Sequence, residues 1–319
     1  MRDLYFAACA PDGGVYHYQM EDGNFIFIRK YDLDRPKFLA IENDRLYVIL
    51  REVIENESGV LSFRIEPDGS LADMTMPVSA RGACACHLCV DHGNVYTANY
   101  LSGTVSHVGY ITVAHTGKGP NAARQEGPHC HYVGLTANGR YLLCCDLGND
   151  TIYTYDKQLR EVSRAQVPAG EGCRHLVMSK KRRLVYCVNE LGSSVTVFRI
   201  SDGVLTPCGT FGALPEHPKT PTKAAAIRLS EDEKFLYVSN RGDDSICTFA
   251  VSDDGETLTQ ASFTPVGGSS PRDVDLVDGY LLCTNEFTNN VTVFRVSGAQ
   301  LTKEPTELPM PNPLCVVYR

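Results

Sequence analysis

The 319-residue chain has no tryptophan, no apolar run long enough to cross a bilayer, and no surplus of basic residues. Each absence excludes something. A transmembrane helix needs about 20 consecutive apolar residues, so no helical membrane span is expected. The opening MRDLYFAACAPDGG lacks the apolar core of a secretory signal. With 38 Asp and Glu against 30 Lys and Arg, the net charge is −8. That balance argues against a nucleic-acid partner, because phosphate backbones call for a basic surface. The P-loop, the Ser nucleophile elbow and the Gly-rich dinucleotide fingerprint are missing too. The expectation is a cytoplasmic protein with no nucleic-acid and no membrane partner.

Short strands are what the chain does have. Residues 173–200, CRHLVMSKKRRLVYCVNELGSSVTVFRI, hold three apolar runs at 175–178, 184–188 and 195–200. Polar turns part them, which predicts three antiparallel strands. The pattern returns at 36–53 and from Cys86, Cys130, Ala224 and Pro271. A polar residue closing the middle strand marks the period: Asn99, Asp146, Asn189, Asn240 and Asn285, at intervals of 43 to 51 residues. Units of that length with about four strands each predict a β-propeller. The N-terminus starts with a middle strand (LYFAACA) and a third strand (GGVYHYQM), and PLCVVYR at 313–319 reads as the missing first strand. Joining the ends gives one more period of 42 residues. We therefore expect an all-β, seven-bladed β-propeller closed by pairing of the N- and C-terminal strands, as a single domain over 1–319. EVSRAQV (161–167) reads as an outer strand, and 52–59, 111–128 and 208–223 as longer loops. Most of the 13 cysteines fall in strand patterns, as small buried hydrophobes rather than disulfides.

Two series of equivalent positions break the repeat. First strands begin with Lys37, His87, His131, Arg174, Ala225 and Arg272; middle strands are followed by Arg51, Tyr100, Leu147, Glu190, Arg241 and Glu286. In a radial array such positions form rings, and these two should open on one face of the channel. His131, Arg174, Glu190 and Arg241 come from three consecutive modules and should share a sector. Convergent ionisable groups in a cleft mark a site, so these four are the catalytic candidates. Lys37, Arg51, His87, Arg272 and Glu286 on the same rings, and His129 beside His131, are candidate substrate contacts. His129 and His131 stand two apart, on one side of an extended strand. No metal is expected: ACACHLCVDH (83–92) fits no common zinc spacing. His175 is expected to be core or scaffold.

The stretches GPHCHYVGLTANGRYLLCCDLGNDTIYTYD, CRHLVMSKKRRLVYCVNELGSSVTVF and LSEDEKFLYVSNRGDDSICTF resemble modules of the lactonase family of seven-bladed propellers. That family includes propeller-type 6-phosphogluconolactonases and 3-carboxy-cis,cis-muconate lactonising enzymes. The resemblance rests on P-H-x-H, R-H, N-E-L and S-N-R-G together, and is strongest over 127–249. It implies His131, Arg174, Glu190 and Arg241 as the catalytic set. It also places Arg124 and Gln125 in the loop before the Pro-His pair, adding Gln125 as a substrate contact. The chain departs from the family at Cys130, at Cys173 (usually proline) and at Ala225. The implied activity is hydrolysis of a sugar-acid lactone, 6-phosphogluconolactone first, without a cofactor. His131 would be the base, and Arg174 and Arg241 would hold the oxyanion or an anionic substituent. Glu190 would orient His131 or donate a proton, and Lys37, Arg51 and Arg272 would meet phosphate. An alternative on the same site is a cycloisomerase forming a lactone from a carboxylated muconate, which is a polycarboxylate substrate. A further alternative, a non-enzymatic interaction platform, finds little support in a chain without tryptophan.

Overall fold

In the computed structural model the described residues are 1–219 and 221–319, the Ile54 side chain aside, and they form seven antiparallel sheets. Blade 1 runs, from the inside out, Pro313–Tyr318, Arg2–Ala8, Gly14–Glu21 and Asn24–Asp32. The ring is therefore closed by the two termini, with Leu4 opposite Tyr318 and Phe6 opposite Val316. The inner strands of blades 2 to 7 are Pro36–Glu42, Ala85–Asp91, Cys130–Leu135, Cys173–Met178, Lys223–Leu229 and Pro271–Val277. The one helical turn among the described residues is Leu147–Asn149. No helix is long and apolar enough to cross a membrane.

Alternation along each strand gives every sheet two apolar faces, and the core lies between neighbouring blades. Tyr186, Val188, Val195 and Val197 of blade 5, for example, pack on Ile227, Leu236, Val238 and Phe249 of blade 6. All thirteen cysteines are free, and nine are buried.

The periodic polar residue has a structural cause. Asn99, Asp146, Asn189, Asn240 and Asn285 are fully buried, and buried amides must find partners. Asn99 donates to the hydroxyls of Thr104 and Ser106, Asn189 to those of Ser194 and Thr196, and Asn285 to that of Thr292. Each ties the end of a second strand to its third.

A feature of register sets the site. Every inner strand carries one extra residue near its start, so pairing with the second strand shifts there: after Pro36, Cys130, Cys173, Ala224 and Pro271, between Ala85 and His87, and between Pro313 and Cys315. The bulged residues are Lys37, Cys86, His131, Arg174, Ala225, Arg272 and Leu314. A bulge re-aims its side chain and leaves it outside the ladder.

Three expectations need correction. In blade 3 the position equivalent to His131 is Cys86, not His87; His87 is paired, opposite Ala98. Most of 52–59 is not a loop but the extended hairpin Arg45–Ile54 and Glu57–Ile65. Outer strands Ile111–Ala114 and Val204–Gly212 take the first parts of the other two loops, and Thr220 lies outside the described residues. Ile26, Phe27 and Ile28 on the outer strand of blade 1 are exposed, apolar surface that a reading keyed to tryptophan and tyrosine passes over.

Closure makes the terminal strand a structural necessity. Removing 313–319 should abolish the cooperative urea transition, and Phe6→Ala, fully buried against that strand's neighbours, should cost about 3–5 kcal/mol. A truncated chain unfolding at the wild-type midpoint would contradict this account of closure.

Candidate active site

Six of the seven bulged residues line one cavity at the mouth of the channel: Lys37, Cys86, His131, Arg174, Arg272 and Leu314. It offers about 20 Å³ to the centre of a water-sized sphere, and about 330 Å³ of empty space when open solvent is included. One layer deeper the paired residues Phe38, His87, Tyr132 and His175 pack ring against ring, with His175 5.1 Å from His87 and 5.2 Å from His131 between centroids. His131 Nδ1 and His175 Nε2 are buried with no hydrogen-bond partner among the described residues, and both residues line the cavity. Burial, then the charge of Arg174, pushes His131 well below the usual imidazole range and leaves it neutral.

Behind the cavity sits an ion cluster. Glu190, 3 % exposed, is held by its backbone N–H on Gly172 O at 2.7 Å, and Gly172 takes a φ of +67° that a side chain would strain. Its carboxylate accepts from Arg124 Nη2 at 2.7 Å, Arg174 Nε at 3.0 Å and Arg241 Nη2 at 2.8 Å. Burial raises the Glu190 pKa, but Arg241, Arg174, His131 and Arg124 together hold it well below the carboxylate range. Arg174, 2 % exposed, also donates from Nη1 to Ala225 O at 2.6 Å. Burial, with Arg241 and Arg272 nearby, lowers its pKa to about 9, so it stays charged at neutral pH. Its Nη2 has no hydrogen bond among the described residues.

A family model described as lactonase, 7-bladed β-propeller, matches residues 4–318. The chain belongs to this lactonase family. An uncharacterized protein of Staphylococcus aureus strain USA300 is 31 % identical over 303 residues, 88 % of each chain. A solved protein from Lactobacillus plantarum superposes with a TM-score of 0.91 at 29 % identity over 100 % of both chains. A Bacteroides fragilis protein, provisionally named a 6-phosphogluconolactonase, superposes with a TM-score of 0.90 at 25 % identity, over 100 % of this chain and 98 % of the other.

Within this lactonase fold the candidate residues divide. His131, Arg174, Glu190 and Arg241 come together, but only His131 and Arg174 face the cavity. Arg241 uses Nη2 on Glu190 and on Ala224 O, while its Nε is buried with no partner among the described residues. Glu190 makes no hydrogen bond to His131 among the described residues, and an ionised carboxylate between three guanidinium groups has no proton to give. Lys37 and Arg272 line the cavity; Lys37 Nζ lies 3.0 Å from Cys84 Sγ, and Arg272 faces Glu286 at 3.5 Å. Arg51 is half exposed beside Glu52. His129 stacks on Tyr100 at 4.4 Å, with Nδ1 against Tyr100 O and Nε2 against Glu126. Gln125 is fully buried and bonded to Leu147 O and Asp150, a strut of its loop rather than a ligand contact. His87 lies below the cavity wall. Sequence reasoning left Cys86, Leu314 and His175 out of the cavity, and gave no role to Tyr100, whose hydroxyl accepts from Arg124 at 3.1 Å.

Because Glu190 has a folded pKa below its ordinary 4.5, its contribution to stability is full above that value and is lost as pH falls through the folded one. Glu190→Gln leaves the buried Arg174 and the part-buried Arg241 and Arg124 without their counter-ion and should cost about 3–5 kcal/mol at neutral pH. It should also flatten the acid side of the stability curve in urea titrations. Equal midpoints for the variant and wild type at pH 7 would refute the counter-ion role.

Proposed function

We propose that the chain hydrolyses a sugar-acid lactone that bears an anionic substituent, with 6-phosphogluconolactone the first candidate. One observation carries this reading: the neutral imidazole of His131 shares a cavity with three cationic side chains, Lys37, Arg174 and Arg272. The name borne by the Bacteroides fragilis relative points the same way. The thirteen free thiols fit a reducing, cytoplasmic compartment.

The cavity is too small for a sugar but has room for a water, which needs a volume of roughly 10–15 Å³ and two or more polar partners. The ring nitrogens that are not sealed from it, His131 Nε2 and His175 Nδ1, would supply such partners. The lactone would lie across the mouth with its carbonyl over this water. Attack by the water oxygen on the carbonyl carbon sends one proton to His131. Arg174 Nη2 stabilises the oxyanion, and Glu190 fixes the guanidinium plane. Collapse breaks the ring C–O bond, and the departing alkoxide takes the proton back from His131. The product is the open hydroxy acid, and the imidazole is regenerated. Lys37 and Arg272 meet the phosphate. Arg241 and Arg124 act through Glu190, as positioning residues.

His131→Ala and Arg174→Ala should each lower kcat/KM by about 10²–10⁴-fold. Lys37→Met should raise KM about tenfold for the phosphorylated lactone while leaving the unphosphorylated one nearly unchanged. The assay runs phosphorylated and free gluconolactone beside carboxylated muconates. Full activity in both the His131 and Arg174 variants removes the mechanism, and turnover of muconates alone moves the chemistry to cycloisomerisation.

A further inference from the structure

The core shared by blades 3 and 4 holds a group that lactone hydrolysis does not use. His115 opens the segment 115–129, Cys130 starts the inner strand of blade 4, and Cys144 sits on its second strand, Leu142–Asp146. The His115 nitrogen and the two sulfur atoms lie within 4.8 Å of one another, and all three residues are buried. His115 Nδ1 is 3.3 Å from Cys130 Sγ and 2.8 Å from Asp146 Oδ2, while Nε2 is 2.8 Å from the Tyr155 hydroxyl.

We propose that His115, Cys130 and Cys144, with Asp146 as fourth donor, form a structural zinc site. The donor set, two sulfurs, one imidazole and one carboxylate, suits tetrahedral Zn²⁺. Bonds of about 2.0–2.3 Å give tetrahedral edges of roughly 3.3–3.8 Å. The 3.3 Å separation of Nδ1 and Cys130 Sγ already meets that range; the Asp146 carboxylate, 2.8 Å from Nδ1 but outside the 4.8 Å cluster of the other three donors, must turn toward the sulfurs to complete the tetrahedron.

The protons balance. Each thiol releases one proton on binding, and the imidazole proton moves from Nδ1 to Nε2, where it donates to the Tyr155 oxygen. Two protons leave and one dication enters, so the net charge of this buried group does not change. That removes the main electrostatic objection to a metal in the core. Outer partners are in place as well. Tyr155 steadies the ring, and Asp146 Oδ1 accepts the backbone N–H groups of His129 at 2.7 Å and Gly148 at 3.0 Å. A hydrogen-bonded Asp–His–Tyr triad alone would need no sulfur beside it, whereas here a cysteine stands on each adjoining strand.

Such a site would pin the start of the 115–129 segment to blade 4. That segment carries Arg124 to Glu190 and His129 to Tyr100. With the donors buried, the ion enters during folding.

The test is metal content, which reads nothing from catalysis and so stands apart from the hydrolase reading. Full-length protein produced in zinc-supplemented medium and dialysed under reductant should hold about one zinc per chain. Cys130→Ser and Cys144→Ser should each bring that to below about a tenth. Refolding with Co²⁺ as probe should give sulfur-to-cobalt charge-transfer absorption in the near ultraviolet and the intense visible bands of a four-coordinate ion. Folded wild type that holds no zinc and refolds in cobalt without those bands overturns the proposal, as does a Cys144→Ser protein that keeps its metal. Should the variants fail to fold, the wild-type cobalt spectrum decides alone.

Discussion

A strand with one residue too many cannot pair that residue with its neighbour, and the side chain must leave the ladder. All seven inner strands carry this extra residue at the same level of the wheel. The bulges turn seven backbone irregularities into one ring of inward side chains, six of which share a cavity. The ladder resumes one residue further in, where Phe38, His87, Tyr132 and His175 close the channel beneath with packed rings. Position and layer are thus fixed by backbone pairing, whichever side chain stands there. That is how a repetitive fold can carry a site that does not repeat.

The electrostatics of the site follow from one carboxylate serving three guanidinium groups. Arg124, Arg174 and Arg241 against Glu190 leave two positive charges in excess, and Lys37 adds a third across the cavity, where Arg272 is met by Glu286. A buried ion pair gives little net stability, so this surplus of charge is better understood as a device for attracting an anion and orienting Arg174. In the proposed reaction an incoming phosphate or carboxylate would supply the missing negative charge. The overall charge of −8 hides this local surplus, which persists although Asp273 also lines the cavity and is paired with Arg228.

The fold was legible because its period has a chemical cause. A buried Asn or Asp must find polar partners, and Asn99, Asn189 and Asn285 find them on the next strand, so the recurrence survives where the rest of the repeat has drifted. The terminal strand was legible because the missing first strand of blade 1 was spelled out as PLCVVYR. The bulge was not, since an extra residue leaves no mark in a pattern of alternation. In ACACHLCV, cysteine and histidine both fit an apolar strand, and the alignment slid from Cys86 to His87. That Gln125 and His129 do not line the cavity was hidden for a related reason. Their side chains are used up by Leu147 O, Asp150, Glu126 and Tyr100 O, partners that only the folded loop brings near. Nor can His115 be linked to Cys144 by spacing along the chain.

The family departures at Cys130, Cys173 and Ala225 make sense once the bulge is in view. Cys130 and Cys173 are the paired residues just before a bulge, opposite Asp146 and Asn189, and both are fully buried in the core. They point away from the cavity, so a thiol in either place alters packing without touching the substrate side. Ala225 is itself a bulged residue, yet it does not line the cavity. What it contributes is its carbonyl, which accepts from Arg174 Nη1 at 2.6 Å. With Glu190 on Nε, this leaves Nη2 as the edge of the guanidinium free to face a ligand. A small residue at 225 lets Arg174 approach that carbonyl in a fully buried setting, and a longer side chain would crowd it. The one bulged residue outside the cavity lining thus serves the site through its backbone, by fixing the direction in which Arg174 points.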